Sequence, residues 1–133
     1  MKIKKYNIQA FPSPVGSYSH VSQIGSIAFI SASGSIDPKT GAILGKTIEE
    51  QTKVIFTNLN KLLSELGASF KDVVKVGVYL KNIGDFDRFD SVYREYFKEV
   101  GFPARTTIGC DLWNGLLIEI DAVVSVKEGM KEE

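Results

Sequence analysis

The alternation of apolar and polar residues along the chain predicts six strands and two helices. Apolar side chains recur every three to four positions from residue 48 to residue 66, which is typical of a helix with one buried face. The segments near 21–31, 73–81 and 105–127 instead alternate with a period of two, which indicates strands. The predicted strands are 2–7, 21–24, 27–31, 73–81, 105–112 and 116–127, and the predicted helices are 47–66 and about 85–101.

Local signals support these boundaries. Thr47 and Glu50 have the spacing of a capping box, and Gly67 follows the last apolar position of the first helix. Asp85 is a suitable N-cap for the second helix. The short break at residues 25–26 predicts a hairpin between the second and third strands.

This order favours an α+β fold with a single mixed sheet and both helices on one face, formed by one domain over residues 1–133. The last two predicted strands carry apolar side chains on both faces. Two helices cover only one face of a sheet, so the other face needs a partner surface, and we expect a homo-oligomer. These apolar residues are Ile108, Ile118, Ile120, Val123 and Val124.

Composition narrows the possible functions. The chain has 16 Lys and Arg residues against 16 Asp and Glu residues, so it has no obvious electrostatic attraction to nucleic acid or to a membrane surface. One cysteine, Cys110, and one histidine, His20, argue against a disulfide or a metal site of the usual kind. No signal peptide is visible. We therefore expect a cytoplasmic protein that binds neither nucleic acid, nor membrane, nor metal.

Arg105 stands in a predicted strand among apolar and hydroxyl residues, two positions after Pro103. A guanidinium group is costly to bury without a partner. Two interpretations follow: Arg105 binds a small anion such as a carboxylate, or it pairs with an acidic side chain or reaches water at a sheet edge.

Glu119 lies inside an otherwise apolar strand segment, residues 116–121. It is either a solvated acid on one sheet face or a carboxylate that holds water and transfers protons.

Several motifs, in order along almost the whole chain, resemble those of one enzyme family. Residues 16–20 (GSYSH) resemble its G-P-Y-S-Q, and residues 29–41 (FISASGSIDPKTG) resemble its F-V-S-G-Q and D-P-K-T-G. The match continues through 50–52 (EQT), 103–105 (PAR) and 118–120 (IEI). The chain thus resembles the RidA/YjgF family of enamine/imine deaminases.

This resemblance implies a chorismate-mutase-like fold and a homotrimer with a central barrel and pockets between subunits. It also implies hydrolysis of 2-aminoacrylate, 2-iminopropanoate and 2-iminobutanoate to 2-oxo acids and ammonia, with no cofactor. Arg105 would anchor the substrate carboxylate and Glu119 would position water. Tyr18 and Ser31 correspond to residues that line the pocket, although Tyr18 could simply be a packing aromatic and Ser31 a strand-end hydroxyl.

The chain departs from the family pattern at two positions of interest. Thr107 replaces the usual cysteine, and Asp90 stands where asparagine is usual, which would repel an anionic substrate if its side chain faces the pocket. We interpret His20 as a surface or interface residue rather than a base, and Cys110 as a small core residue.

The turn before Glu119 creates a conflict. Asn114-Gly115 is a strong signal for a two-residue hairpin, which would pair Cys110 with Glu119 and place Glu119 and Arg105 on opposite faces. A three-residue turn that includes Trp113 would place them on one face. A shared site therefore requires the longer turn, a bulge, or residues from two subunits.

Three functions compete at this point. The first is the deaminase, and the second is a non-catalytic binder of small carboxylates or a regulatory partner of a metabolic enzyme. The third, inhibition of ribonuclease or translation, is disfavoured by the balanced charge and by the lack of aromatic–basic interleaving.

Overall fold

A computed structural model describes residues 1–113 and 115–128, which form six strands and two helices in the predicted order. Short 3₁₀ turns at Phe70–Asp72 and Ile83–Asp85 precede β4 and α2. The elements are β1 Ile3–Tyr6, β2 Val21–Ile24, β3 Ile27–Gly34, α1 Ile48–Glu65, β4 Val73–Leu80, α2 Phe86–Phe97, β5 Ala104–Gly109 and β6 Ile118–Ser125.

The strands form one mixed sheet in the order β1-β2-β3-β6-β4-β5. Every pair is antiparallel except β4 and β5, which run parallel because α2 carries the chain back between them. The predicted hairpin between β2 and β3 is confirmed, with Gly25 in the turn at φ 58°. The mixed sheet with two helices is the fold that the sequence predicts.

The predicted hairpin between the last two strands is wrong. β6 lies between β3 and β4, so β4 separates it from β5. The Asn114-Gly115 sequence favours a hairpin only through local turn preferences. In the sheet, β6 forms backbone hydrogen bonds along both of its edges, with β3 on one side and β4 on the other. Asn114 itself lies outside the described residues, so the length of the 113–115 turn stays untested.

The N-terminus of α1 has the predicted capping box. The Thr47 hydroxyl accepts a hydrogen bond from the Glu50 backbone N–H at 3.1 Å, and the Glu50 carboxylate accepts from the backbone N–H groups of Lys46 and Thr47. At the other end, Gly67 adopts φ 70°, the left-handed conformation that ends many helices. These contacts set where α1 begins and ends, as the sequence indicates.

Both helices pack on one face of the sheet, where an aromatic cluster fills the space between them. Phe56 of α1 is fully buried, and its ring lies 4.5–5.8 Å from four others. These partners are Phe70, Tyr93, Tyr96 and Phe97. The buried side of β6, from Ile118 to Val124, faces this core.

The opposite sheet face is open and partly apolar. Phe29 and Ile108 are 49% and 44% exposed there. A bulge in β4 puts Val73 in the core and Val74 outside, the reverse of what simple alternation predicts. The homo-oligomer expected from such a face stays a prediction.

A polar contact crosses the open face. The Tyr79 hydroxyl donates a hydrogen bond to the Asp121 carboxylate at 2.8 Å, and this bond raises the pKa of Tyr79 above its usual value. Gly77 lies beside the pair, and a Cβ there would collide with the Asp121 carboxylate. The glycine therefore leaves the space in which this contact forms.

Across the described part of the chain, no helix is long and apolar enough to span a membrane.

Candidate functional site

A cleft of about 530 Å³ opens beside Glu119. Glu119 is opposite Gly34 on β3 and Tyr79 on β4, so the middle of the sheet fixes its position. Its side chain is half-buried, and that burial raises the pKa of the Glu119 carboxyl above its usual value. A carboxyl group of this kind accepts a proton more readily at neutral pH than a solvated glutamate does.

A bulge in β3 brings Ser31 to the same cleft. Ile30 pairs with Ala122 and Ser33 with Ile120, so β3 has one extra residue at this point. The Ser31 hydroxyl donates to the Ser19 carbonyl at 2.7 Å, which leaves its oxygen able to accept a hydrogen bond from a ligand.

The loop between β1 and β2 forms the outer wall, with Tyr18 at its rim. Tyr18 is 46% exposed, and its hydroxyl accepts from the Val15 backbone N–H at 3.2 Å. The structure therefore brings Glu119, Ser31 and Tyr18 to one cleft, as the sequence analysis groups them.

His20 holds this loop, and its interpretation as a surface residue is wrong. It is only 2% exposed. Its Nδ1 accepts from the Ile8 backbone N–H at 2.9 Å, so its Nε2 carries the hydrogen and donates to the Pro12 carbonyl at 2.7 Å. Composition alone could not reveal this role, because both partners are backbone groups.

Gln51 is a second positioning residue that the sequence analysis missed. It is 1% exposed, and its side-chain amide donates to the carbonyls of Gly45 and Gly115 and accepts from the Leu117 backbone N–H. These bonds fix the start of the segment that leads to Glu119. The available signal was a polar residue inside the apolar stripe of α1.

Arg105 lies elsewhere, under α2. Its NH1 group donates to the Asp90 carboxylate at 2.8 Å, and Arg94 donates to the same carboxylate at 3.2 Å. The guanidinium carbon is 4.5 Å from the centre of the Tyr93 ring. Within one chain, Arg105 is thus paired with an acid, which is one of the two interpretations drawn from the sequence.

A second, smaller cleft of about 330 Å³ opens beside this cluster. Its wall includes Phe102 and Pro103 as well as Asp90, Tyr93 and Arg105. The Arg105 side chain is 20% exposed, so its remaining N–H groups can reach a ligand in this cleft.

Arg105 and Glu119 point to opposite faces of the sheet. Val76 pairs with both Arg105 and Ala122, which places Arg105 on the helix-covered face. Tyr79 pairs with Glu119 and stands three positions from Val76, so Glu119 is on the open face. The expectation that a longer turn could bring them together within one chain is wrong, because β4 intervenes. Only residues from two subunits could form a shared site.

Thr107 is half-buried and is opposite Val78, on the same face as Arg105. It does not line the cleft beside Glu119 or the one beside Arg105. Cys110 is only partly buried, so the expectation that it is a small core residue is wrong. Among residues 1–113 and 115–128, no three His, Cys, Asp or Glu side chains converge so that they could hold a metal ion.

Comparison with known proteins identifies the family. The sequence profile of the Endoribonuclease L-PSP family matches residues 8–126. The chain belongs to the RidA/YjgF family. Among RidA/YjgF relatives, a RutC family protein of Pyrococcus abyssi is 43% identical over 113 residues, which cover 84% of this chain and 88% of that protein.

Two further members extend the comparison. A protein of Dermatophagoides farinae named 2-iminobutanoate/2-iminopropanoate deaminase is 31% identical over 117 residues, covering 87% of this chain and 91% of its own. The crystal structure of the Rid family protein YyfA from Yersinia pestis has a TM-score of 0.88 at 29% identity, covering 94% of this chain and 100% of that one. The RidA/YjgF fold predicted from the motifs is therefore confirmed.

Proposed function

We propose that the protein hydrolyses 2-imino acids and their enamine tautomers, such as 2-aminoacrylate, to 2-oxo acids and ammonia. The half-buried Glu119 beside Ser31 and Tyr18 supports this proposal, because the reaction needs a group that accepts and returns protons. The relative named as a 2-iminobutanoate/2-iminopropanoate deaminase supports the choice of substrate.

The chemistry requires little beyond positioning. Glu119 accepts a hydrogen bond from a water molecule, which attacks the carbon of the C=N bond while Glu119 takes up its proton. Glu119 returns the proton to nitrogen. The hydroxyl group of the tetrahedral intermediate then loses its own proton to Glu119 as the C–N bond breaks, which forms the C=O group and releases ammonia. Arg105 holds the substrate carboxylate through charge-assisted hydrogen bonds, so that the carbon faces the water.

A homotrimer would complete the site, with Arg105 of one copy meeting the Glu119 cleft of its neighbour. None of the described residues that line the Glu119 cleft is Lys or Arg, so this half-site offers no cation to a substrate carboxylate. That observation carries the proposal. The apolar open face, with Phe29 and Ile108, supplies a surface for the association.

Mixing two inactive variants tests both the chemistry and the sharing. Arg105→Ala and Glu119→Gln should each lower turnover by about two orders of magnitude, the scale typical of losing a positioned catalytic group. Co-expressed, they should regain about a quarter of wild-type activity, because random assembly pairs an intact arginine with an intact glutamate at that frequency. The assay couples a serine or threonine dehydratase to detection of the released ammonia.

The outcomes separate the alternatives. Wild-type protein that releases ammonia no faster than buffer rejects the deaminase. Inactive single variants that regain nothing on co-expression, in mixed oligomers verified by differently tagged chains, reject the shared site.

A second function, binding of small carboxylates without turnover, has one observation in its favour. The Asp90 carboxylate already engages Arg105, which weakens the grip on an anionic substrate. This function predicts saturable binding of a 2-oxo acid by a protein that leaves the rate of imine hydrolysis unchanged.

A further inference from the structure

The Asp90 carboxylate is the nearest charged neighbour of Arg105. It accepts a hydrogen bond from NH1 of Arg105 at 2.8 Å and another from Arg94 at 3.2 Å. The two guanidinium groups and the one carboxylate leave a single positive charge on the cluster. A ligand at Arg105 therefore meets an anion as well as a cation.

Aromatic rings help Asp90 to hold Arg105 in place. The guanidinium carbon lies 4.5 Å from the centre of the Tyr93 ring and 5.3 Å from that of Phe89. Such stacking contributes to the orientation of the planar group. The Asp90 carboxylate thus adds a negative charge beside a guanidinium group that the rings also orient.

The fork geometry of the guanidinium places a second carboxylate close to Asp90. A ligand carboxylate on the remaining N–H groups of Arg105 would share one guanidinium group with the Asp90 carboxylate. Two anions so close to each other repel, and a cationic group on the ligand would be attracted.

This arrangement distinguishes the substrate of the proposed reaction from its product by their charges. A protonated 2-imino acid has a cationic C=NH₂⁺ group beside its carboxylate and is neutral as a whole. The 2-oxo acid that replaces it retains only the negative charge. We propose that Asp90 is a specificity-determining residue that favours zwitterionic 2-imino acids at Arg105 and weakens the binding of anionic 2-oxo acids. The proposal rests on the proposed function for the identity of the two ligands.

Binding of two probes with the same carbon skeleton tests this without turnover. 2-Oxobutanoate represents the anion and L-2-aminobutanoate represents the zwitterion, and calorimetry gives the dissociation constant of each. Asp90→Asn removes the charge but keeps an oxygen that can accept from Arg105. We expect it to tighten 2-oxobutanoate binding about three- to tenfold, a range reduced by solvent screening. L-2-Aminobutanoate should bind equally or more weakly.

Controls isolate the local effect. Asp87→Asn removes the same charge from an exposed position of α2 and should leave both dissociation constants unchanged. Asp90→Ser is a second charge-removing variant in case Asp90→Asn does not fold. Arg105→Ala should abolish the binding of both probes.

Asp90→Asn that shifts both probes by the same factor, or that loosens 2-oxobutanoate, overturns the proposal. So does wild-type protein that binds neither probe. If the ratio shifts as expected while ammonia release in the coupled assay is no faster than in buffer, the deaminase proposal fails and the role of Asp90 stands.

Discussion

The Tyr93 hydroxyl should make the protein less stable than a phenylalanine would at the same position. Tyr93 is 2% exposed, and its hydroxyl makes no hydrogen bond of normal geometry with the described residues, although the Arg105 guanidinium is close enough to lower the pKa of Tyr93 against the effect of burial. Burying a hydroxyl without a partner costs about 1–3 kcal/mol. Tyr93→Phe removes that cost and keeps the ring on which Arg105 stacks. We expect the free energy of unfolding to rise by about 1–2 kcal/mol.

Thermal and denaturant unfolding provide the measurement. For a chain of this length, the gain corresponds to a Tm higher by about 3–8 °C. Chain concentration must be equal in all samples, because the Tm of an oligomer depends on it. Burial raises the pKa of Tyr93 to about 12, against the opposing effect of the Arg105 charge, so the gain should not vary between pH 6 and 9.

Tyr96→Phe is the matched control. Tyr96 stacks on the same Phe56 ring but is only partly buried, so the loss of its hydroxyl should change the Tm little. A lower Tm for Tyr93→Phe with an unchanged Tm for Tyr96→Phe would refute the reasoning. It would mean that the Tyr93 hydroxyl forms a stabilising hydrogen bond in solution.

Two further predictions concern the open face. Because burial raises the pKa of Glu119, ionisation of this residue costs more free energy in the folded than in the unfolded chain. At pH values above the folded-state pKa, Glu119→Gln should therefore have a higher Tm than the wild type. Below about pH 4 the two Tm values should be equal. A Tm that falls at pH 8 would contradict this. Gly77→Ala should displace the Asp121 carboxylate and break its hydrogen bond with Tyr79, so the pKa of Tyr79 should fall towards its usual value. A spectroscopic titration measures this pKa, and Tyr79→Phe identifies which part of the signal belongs to Tyr79. A Tyr79 pKa as high as in the wild type would show that the sheet accommodates the methyl group.

Helix boundaries and the order of the elements along the chain could be predicted because their causes are local. Thr47 and Glu50 satisfy backbone groups within one turn, and Gly67 ends the same helix through its own backbone conformation. Such contacts join residues that are neighbours in sequence, so the pattern contains the necessary information.

Strand pairing could not be predicted in the same way. Asn114-Gly115 favours a hairpin, yet burial of β6 against both β3 and β4 outweighs the preference of a turn. The face of Glu119 follows from its register with Tyr79, which depends on that pairing. Alternation alone specifies which residues share a face within one strand but not across strands.

The contact between Asp90 and Arg105 was also missed, although Asp90 was a candidate. The sequence indicates that a charge stands there, but not which way it points. The parallel crossover from β4 through α2 to β5 puts the middle of α2 over the start of β5. That placement turns two residues fifteen positions apart into a hydrogen-bonded pair.

The central position of β6 also determines when the protein can complete its fold during synthesis. β6 is the last strand of the described residues, and it alone joins the β1-β2-β3 group to the β4-β5 pair. Until residues 118–125 have left the ribosomal exit tunnel, the nascent chain has two separate strand groups, each with an unpaired edge. Pairing such as Ile30 with Ala122 then closes a long loop, which slows folding. A translational pause or a truncation before β6 would expose both edges together and favour aggregation.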